Sequence, residues 1–291
     1  MKNVKFFDRL LVIAVIFLVM FLLAAMLSPW VATWFPDNER YRLLALGVLQ
    51  SLVGFILPAF IGVKLAFGNP VKFLTLNVAP TSMNILGVVV AYLISLPLLN
   101  QLIYWNENLV FPDFLEEMGI MFRDFEDQAA KVTDTMLDAH SLGAMIVGVL
   151  IIGVLTGFSE ELFFRGALQQ AGSSRGAFHT SIWVTALIFS AIHFQVFGFV
   201  PRLLLGAWFG YLLYWTGSIY VPVIAHALNN SVVVICAYFI SKESGFQPEM
   251  IGVATSGFPL AAFISAVAMM LFIVYLKDTF FSNTRFVHDV Q

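Results

Sequence analysis

Residues 203–241 read LLLGAWFGYLLYWTGSIYVPVIAHALNNSVVVICAYFIS, 39 consecutive positions without Asp, Glu, Lys or Arg. A helix that crosses the hydrocarbon core of a bilayer needs about 20 apolar residues. The stretch therefore holds two spans. Thr216-Gly217-Ser218 followed by Pro222 supplies the break between them, because Gly ends a helix and Pro suits the first turn of the next. Outward from it, the charge-free windows 10–36, 43–63, 73–106, 139–159, 176–201 and 250–276 are each long enough for one further span. The reading is an all-α polytopic membrane protein with about eight transmembrane helices, forming a single membrane domain over 1–291. Uninterrupted apolar runs also exclude a transmembrane barrel, which would alternate with period two.

Composition agrees. Of the 291 residues, 60% are hydrophobic and 11% charged, against roughly 45–50% and roughly 25% in soluble domains. The bilayer must act as solvent for that much apolar surface. A soluble enzyme, a secreted disulfide scaffold and a nucleic-acid binder are excluded. Cys236 is the sole cysteine, so no intrachain disulfide can form. Lys2, Lys5 and Arg9 precede an apolar stretch too long for a signal-peptide core, which reads as a retained first helix. With the N-terminus inside, the inner loops and ends hold more Lys and Arg than the outer ones. This points to a bacterial plasma-membrane protein with both termini cytoplasmic.

Segment 105–141 departs from the rest. It carries nine acidic and two basic residues, and Phe114, Met118, Met121, Phe122, Phe125, Ala129, Val132 and Met136 recur at helical spacing. It reads as an acidic amphipathic extramembrane helix, lying on the membrane surface or capping the bundle. A gate or a substrate-docking element is the sharper alternative.

Titratable side chains at membrane depth are costly, so each is a functional candidate. Three clusters qualify: Glu160-Glu161-Leu162-Phe163-Phe164-Arg165, Phe189-Ser190-Ala191-Ile192-His193, and His226-Ala227-Leu228-Asn229-Asn230. On a helix Glu161 and Arg165 are i and i+4 and pair, which leaves Glu160 without a partner on its own helix. Such a carboxylate suits a general base. Glu160 lies 16 residues before Gly176 and His193 17 after it. In an antiparallel hairpin rising ~1.5 Å per residue the two therefore sit at one depth and can share a water. Phe189, one turn before His193, could wall its ring. His226 and Asn230 share a helix face and could offer two donors to an oxyanion. One tension remains: His226 is only eight residues past Ser218, which would set it shallower than His193.

Glu-Glu-x-x-x-Arg at 160–165, Phe-x-x-x-His at 189–193 and His-x-x-x-Asn at 226–230, in that order on successive membrane helices, resemble the CPBP family of intramembrane proteases. That family takes in the type II CAAX prenyl endopeptidases and the bacterial Abi proteins of bacteriocin processing and self-immunity. The resemblance covers about 142–238, the expected catalytic core, with no departure at the motif positions. It implies an active site inside the helix bundle and cleavage of a membrane-anchored or lipidated peptide or protein. Glu160 and His193 would activate water, His226 and Asn230 would stabilise the oxyanion, and Glu161 with Arg165 would hold the helix in place. A metal-free mechanism with no cofactor is favoured, since His-Glu-x-x-His is absent. Glu160, His193 and His226 could nonetheless form a three-ligand zinc site. Two other functions compete: a non-enzymatic immunity or scaffold protein of the same fold, and a proton-coupled transporter. The full motif set argues against the first. The lack of inverted repeats or broken helices argues against the second.

Overall fold

The computed structural model describes residues 6–173, 176–240 and 247–281. Its main helices are α1 (Phe6–Ala32), α2 (Glu39–Phe67), α3 (Ser82–Glu107), α4 (Glu116–Leu137), α5 (Leu142–Ser173), α6 (Phe178–Ala191), α7 (Phe199–Thr216), α8 (Tyr220–Phe239) and α9 (Leu260–Phe281). Among the described residues there is no strand. Among the described residues seven helices are long and apolar enough to cross a membrane, α7 being counted with the turn before it, and α6 is a shorter apolar helix. This is an all-α, polytopic integral membrane protein. Leu11, Leu18, Leu22 and Met26 of α1 are exposed, as an outer helix in lipid requires.

Local chemistry sets the helix ends. Asn38 accepts from the Tyr41 amide at the start of α2, and Ser141 from the Ala144 amide at the start of α5. Thr81 and Asn84 form a reciprocal capping box on α3. The break inside 203–241 falls where Gly217 takes the left-handed conformation (φ 64°), which ends α7 at little steric cost.

The window 176–201 behaves differently from expectation. It does not form one full span with His193 deep inside it. α6 stops at Ala191, and the chain passes through a turn in which Phe194 is left-handed (φ 54°). A short 3-10 turn, Val196–Gly198, follows, and α7 begins at Phe199, so that Pro201 and Arg202 lie within it. A charge-free composition marks what lipid tolerates, not where backbone hydrogen bonding continues. The comparison of inner and outer Lys and Arg also changes meaning. Arg165 is fully buried and Arg202 lines a cavity, so neither is a loop charge. Lys2, Lys5, Arg175, Lys242 and Arg285, which entered the same comparison, lie outside the described residues.

Two apolar clusters flank the bundle centre. One joins α1, α2, α5 and α6 around Phe55, Phe163, Phe164 and Phe189; the other joins α3, α7, α8 and α9 around Phe209, Leu212, Phe272 and Phe281. Between them α5 and α8 approach closely. A Cβ on Gly157 would stand 3.0 Å from the Ala227 amide nitrogen, and one on Gly153 would meet the Ser231 hydroxyl. This small-residue pair four apart lets the backbones close up, and Glu160, Glu161 and His226 lie just beyond it in sequence. Gly157→Val should push α8 outward and destabilise the protein by about 1–3 kcal/mol. A lowered melting temperature in detergent would show it, and an unchanged one would mean the two helices do not rely on this approach.

Candidate active site

The acidic pair of α5 divides its work between two faces. Glu161 is fully buried and its Oε1 accepts from Arg165 Nη1 at 2.7 Å, the expected i,i+4 pair. The same oxygen stands 2.8 Å from His226 Nδ1. Glu161 is therefore not consumed by Arg165 alone; it also orients a histidine on α8. A carboxylate only accepts, so His226 Nδ1 carries a proton. Arg165 reaches further, donating from Nη2 to the Gly206 carbonyl of α7 at 2.9 Å. Its guanidinium also lies 4.5 Å from the Phe189 ring centroid and 5.5 Å from that of Phe209. Gln169, one turn on, repeats the reach to the Gly210 carbonyl at 3.1 Å.

Glu160 faces the other way. Its side chain is 14% exposed, and its Oε2 lies 3.9 Å from His226 Nε2. That separation is beyond a hydrogen bond. Glu160, His193, His226, Asn230 and Phe189 all line one cavity of about 410 Å³. His193 sits in the turn just past α6, and its Nδ1 lies 2.8 Å from the Phe189 carbonyl. A carbonyl can only accept, so Nδ1 donates and Nε2 keeps a lone pair. Phe189 meets His193 edge-on at 5.2 Å, and His226 at 6.0 Å. The His226 ring stacks on Phe209 at 5.1 Å.

These contacts resolve the depth tension. His226 and His193 both meet the Phe189 ring and line the same cavity. Asn230 is less free than its sequence position implied. Its Nδ2 donates to the Ile152 carbonyl at 3.2 Å, and its Oδ1 accepts from Asn229 at 3.2 Å. One amide hydrogen is left.

Sequence reasoning missed several cavity residues. Arg202, Glu107, Glu126, Thr156 and Asn229 share the lining. For Arg202 a signal existed in the sequence, a lone charge between the charge-free windows 176–201 and 203–241. Glu126 belongs to α4, so the acidic amphipathic segment contributes directly to this cavity. On α4, Phe122, Glu126, Ala129 and Met136 are half-buried, whereas Met118, Met121, Phe125 and Val132, and Phe114 in the turn before the helix, are exposed. Among the described residues no three His, Cys, Asp or Glu side chains converge closely enough to hold a metal ion. The three candidate zinc ligands share a cavity but do not form a ligand set as they stand.

A buried pair broken on one side leaves an uncompensated charge, at a cost of about 3–5 kcal/mol. Glu161→Ala and Arg165→Ala should each lower the melting temperature sharply. The double change Glu161→Leu/Arg165→Met should recover much of that loss. Additive losses would show that the pair is not one electrostatic unit.

Residues 142–232 match the family model described as Rce1-like, type II CAAX prenyl endopeptidase. The chain is also similar to "Uncharacterized protein YpbD" of Bacillus subtilis (strain 168), with 31% identity over 88 residues. Those residues are 29% of this chain and 42% of that protein, so the match spans less than half of the relative's length. No solved structure matches the chain. The matched segment contains all three motifs and every residue of the Arg165–Glu161–His226 chain. Over residues 142–232, therefore, this integral membrane protein is similar to the Rce1-like, CAAX-type membrane protease family, as its three motifs indicated.

Proposed function

We propose that the protein is an intramembrane endopeptidase that hydrolyses a peptide bond of a membrane-anchored or lipidated substrate. The observation that carries this is the pairing of charges. Glu161 is committed behind the wall to Arg165 and His226. Its neighbour Glu160 faces a cavity that also holds His193 and His226. With Glu160 and Glu161 ionised, Arg165 and a protonated His226 make the cluster electroneutral, which lets four charged groups share a buried site.

The chemistry follows from these positions. Glu160 takes a proton from water as the water oxygen attacks the scissile carbonyl carbon. His193, with its Nε2 lone pair available, accepts a hydrogen bond from the same water and orients it. Charge then develops on the carbonyl oxygen. His226, protonated and held by Glu161, donates from Nε2 to that oxygen, and the remaining Asn230 amide hydrogen can join it. The tetrahedral species collapses with cleavage of the C–N bond, and Glu160 returns its proton to the leaving amine. Glu161 keeps His226 oriented, and Arg165 fixes α5 against α7. No step is routed through a metal, because the candidate ligands do not converge as a set. The substrate is a lipidated or membrane-embedded peptide, and the site works within the membrane.

Cleavage of a quenched fluorescent lipopeptide by purified protein in detergent tests the reading. Glu160→Gln should lower kcat by about 10²–10⁴-fold, the usual range for a lost general base. His226→Ala should lower it by about 10²–10³-fold, as expected for an oxyanion donor. Asn230→Ala should cost less, since one of its hydrogens is already engaged. A zinc chelator should leave the rate unchanged. Activity abolished by chelation and restored by zinc would replace this mechanism with a metal-dependent one, and Glu160→Gln at the wild-type rate would sink the site assignment.

A further inference from the structure

The turn that carries His193 is an unusual place for a working side chain. It follows a helix of 14 residues, passes through a left-handed Phe194, and leaves that phenylalanine 76% exposed. A non-glycine residue at positive φ persists only where its surroundings over-determine it. The flanks of the turn are held by α3: Asn106 Nδ2 donates to the Val196 carbonyl at 3.0 Å, and Asn106 Oδ1 accepts from the Val200 amide at 2.8 Å. The centre is held otherwise. Gln195, two residues past His193, accepts from Arg202 Nη2 at 2.8 Å and donates from Nε2 to Glu126 Oε1 at 3.2 Å. Glu126 is on α4, 69 residues away in sequence.

We propose that Glu126, Gln195 and Arg202 form a relay through which α4 positions His193, so that the amphipathic helix is a working part of the site and not only a surface element. Gln195 is the hinge of this relay. Its amide accepts from an arginine on one side through the oxygen and donates to a carboxylate on the other through the nitrogen. Glu126 Oε2 and Arg202 Nη1 are buried without another hydrogen-bond partner, so each end depends on Gln195. Removing the central amide would leave both ends bare, which is costly out of water. A second contact seats the same helix on the same turn: the Arg123 guanidinium lies 3.4 Å from the centroid of Phe197, which is buried. Arg123 Nη2 also donates to the Glu107 carbonyl at 3.1 Å. α4 thus grips the turn at Gln195 and at Phe197, on either side of Val196.

The inference rests on the peptidase reading for its kinetic arm, and a structural arm stands apart from that reading. Both use the full-length protein in lipid nanodiscs. Glu126→Ala should lower kcat for the lipopeptide by about tenfold or more, the scale of a lost orienting contact, with KM within about twofold. Glu126→Gln should restore most of kcat, because its amide oxygen still accepts from Gln195. The double variant Glu126→Ala/Gln195→Ala should be no slower than Gln195→Ala alone. Asp127→Ala, on the exposed side of α4, is the control. In parallel, amide hydrogen exchange over residues 192–198 should rise in Glu126→Ala and stay at the wild-type level in Glu126→Gln. Unchanged exchange in Glu126→Ala overturns the relay whatever the activity. Raised exchange with unchanged kcat also overturns it, by showing a contact with no bearing on His193. Raised exchange in a protein that cleaves no peptide upholds the relay and removes the peptidase reading instead.

Discussion

A single carboxylate oxygen, Glu161 Oε1, receives both Arg165 and His226 in a place closed to water. The rest of the site depends on that convergence. A guanidinium in an apolar bundle must be paired and hydrogen-bonded, or its desolvation would destabilise the fold. Arg165 meets that demand with Glu161, with the Gly206 carbonyl of α7 and with the faces of Phe189 and Phe209. These partners come from α5, α6 and α7, and Glu161 adds α8 through His226. Satisfying one charge thus fixes the mutual placement of every helix that supplies a candidate catalytic group. It also separates two adjacent glutamates by role. One is locked into the support, and the other faces the cavity.

The glycines complete the same constraint from the backbone side. Gly206 leaves room beside Arg165, where a Cβ would stand 3.1 Å from Nη2, and Gly157 lets α8 approach α5. Side-chain charge and backbone closeness are therefore coupled. The pair can reach its partners only because the helices approach, and the helices hold that approach because the pair bridges them. Small residues and buried polar links are the usual means by which membrane helices associate, since lipid offers little hydrophobic drive between them.

Much of this was legible in the sequence. Charge-free windows located the apolar helices, because in a bilayer the composition of a span is nearly dictated by its solvent. The break at Gly217 was legible because glycine is what a left-handed helix end favours. Glu160, Glu161, Arg165, Phe189, His193, His226 and Asn230 were legible because titratable and amide groups at i,i+4 spacing stand out against an apolar background. What was not legible was the turn at 192–198. Its left-handed residue is Phe194, which carries no glycine or asparagine signal, and the window around it is free of charge. Nor could the sequence bring Glu126 to Gln195, since nothing local to either residue predicts a bond across 69 positions. The double use of Glu161 was hidden for the same reason: helical spacing reveals Arg165 but not His226, 65 residues on.

That turn also explains why the site needs its polar surroundings. Irregular backbone at membrane depth is tolerated only where protein or a water-lined cavity satisfies its amides and carbonyls. Here Asn106 of α3 serves Val196 and Val200, and Ser190 Oγ donates to the Phe199 carbonyl at 2.7 Å. Ending α6 at Ala191 exposes backbone that must be re-satisfied. The side chains that meet this requirement come from α3 and α6. A histidine placed on an unbroken helix would have needed none of them. The polar residues around the turn therefore follow from the early end of α6, which leaves His193 in the wall of the cavity it shares with Glu160 and His226.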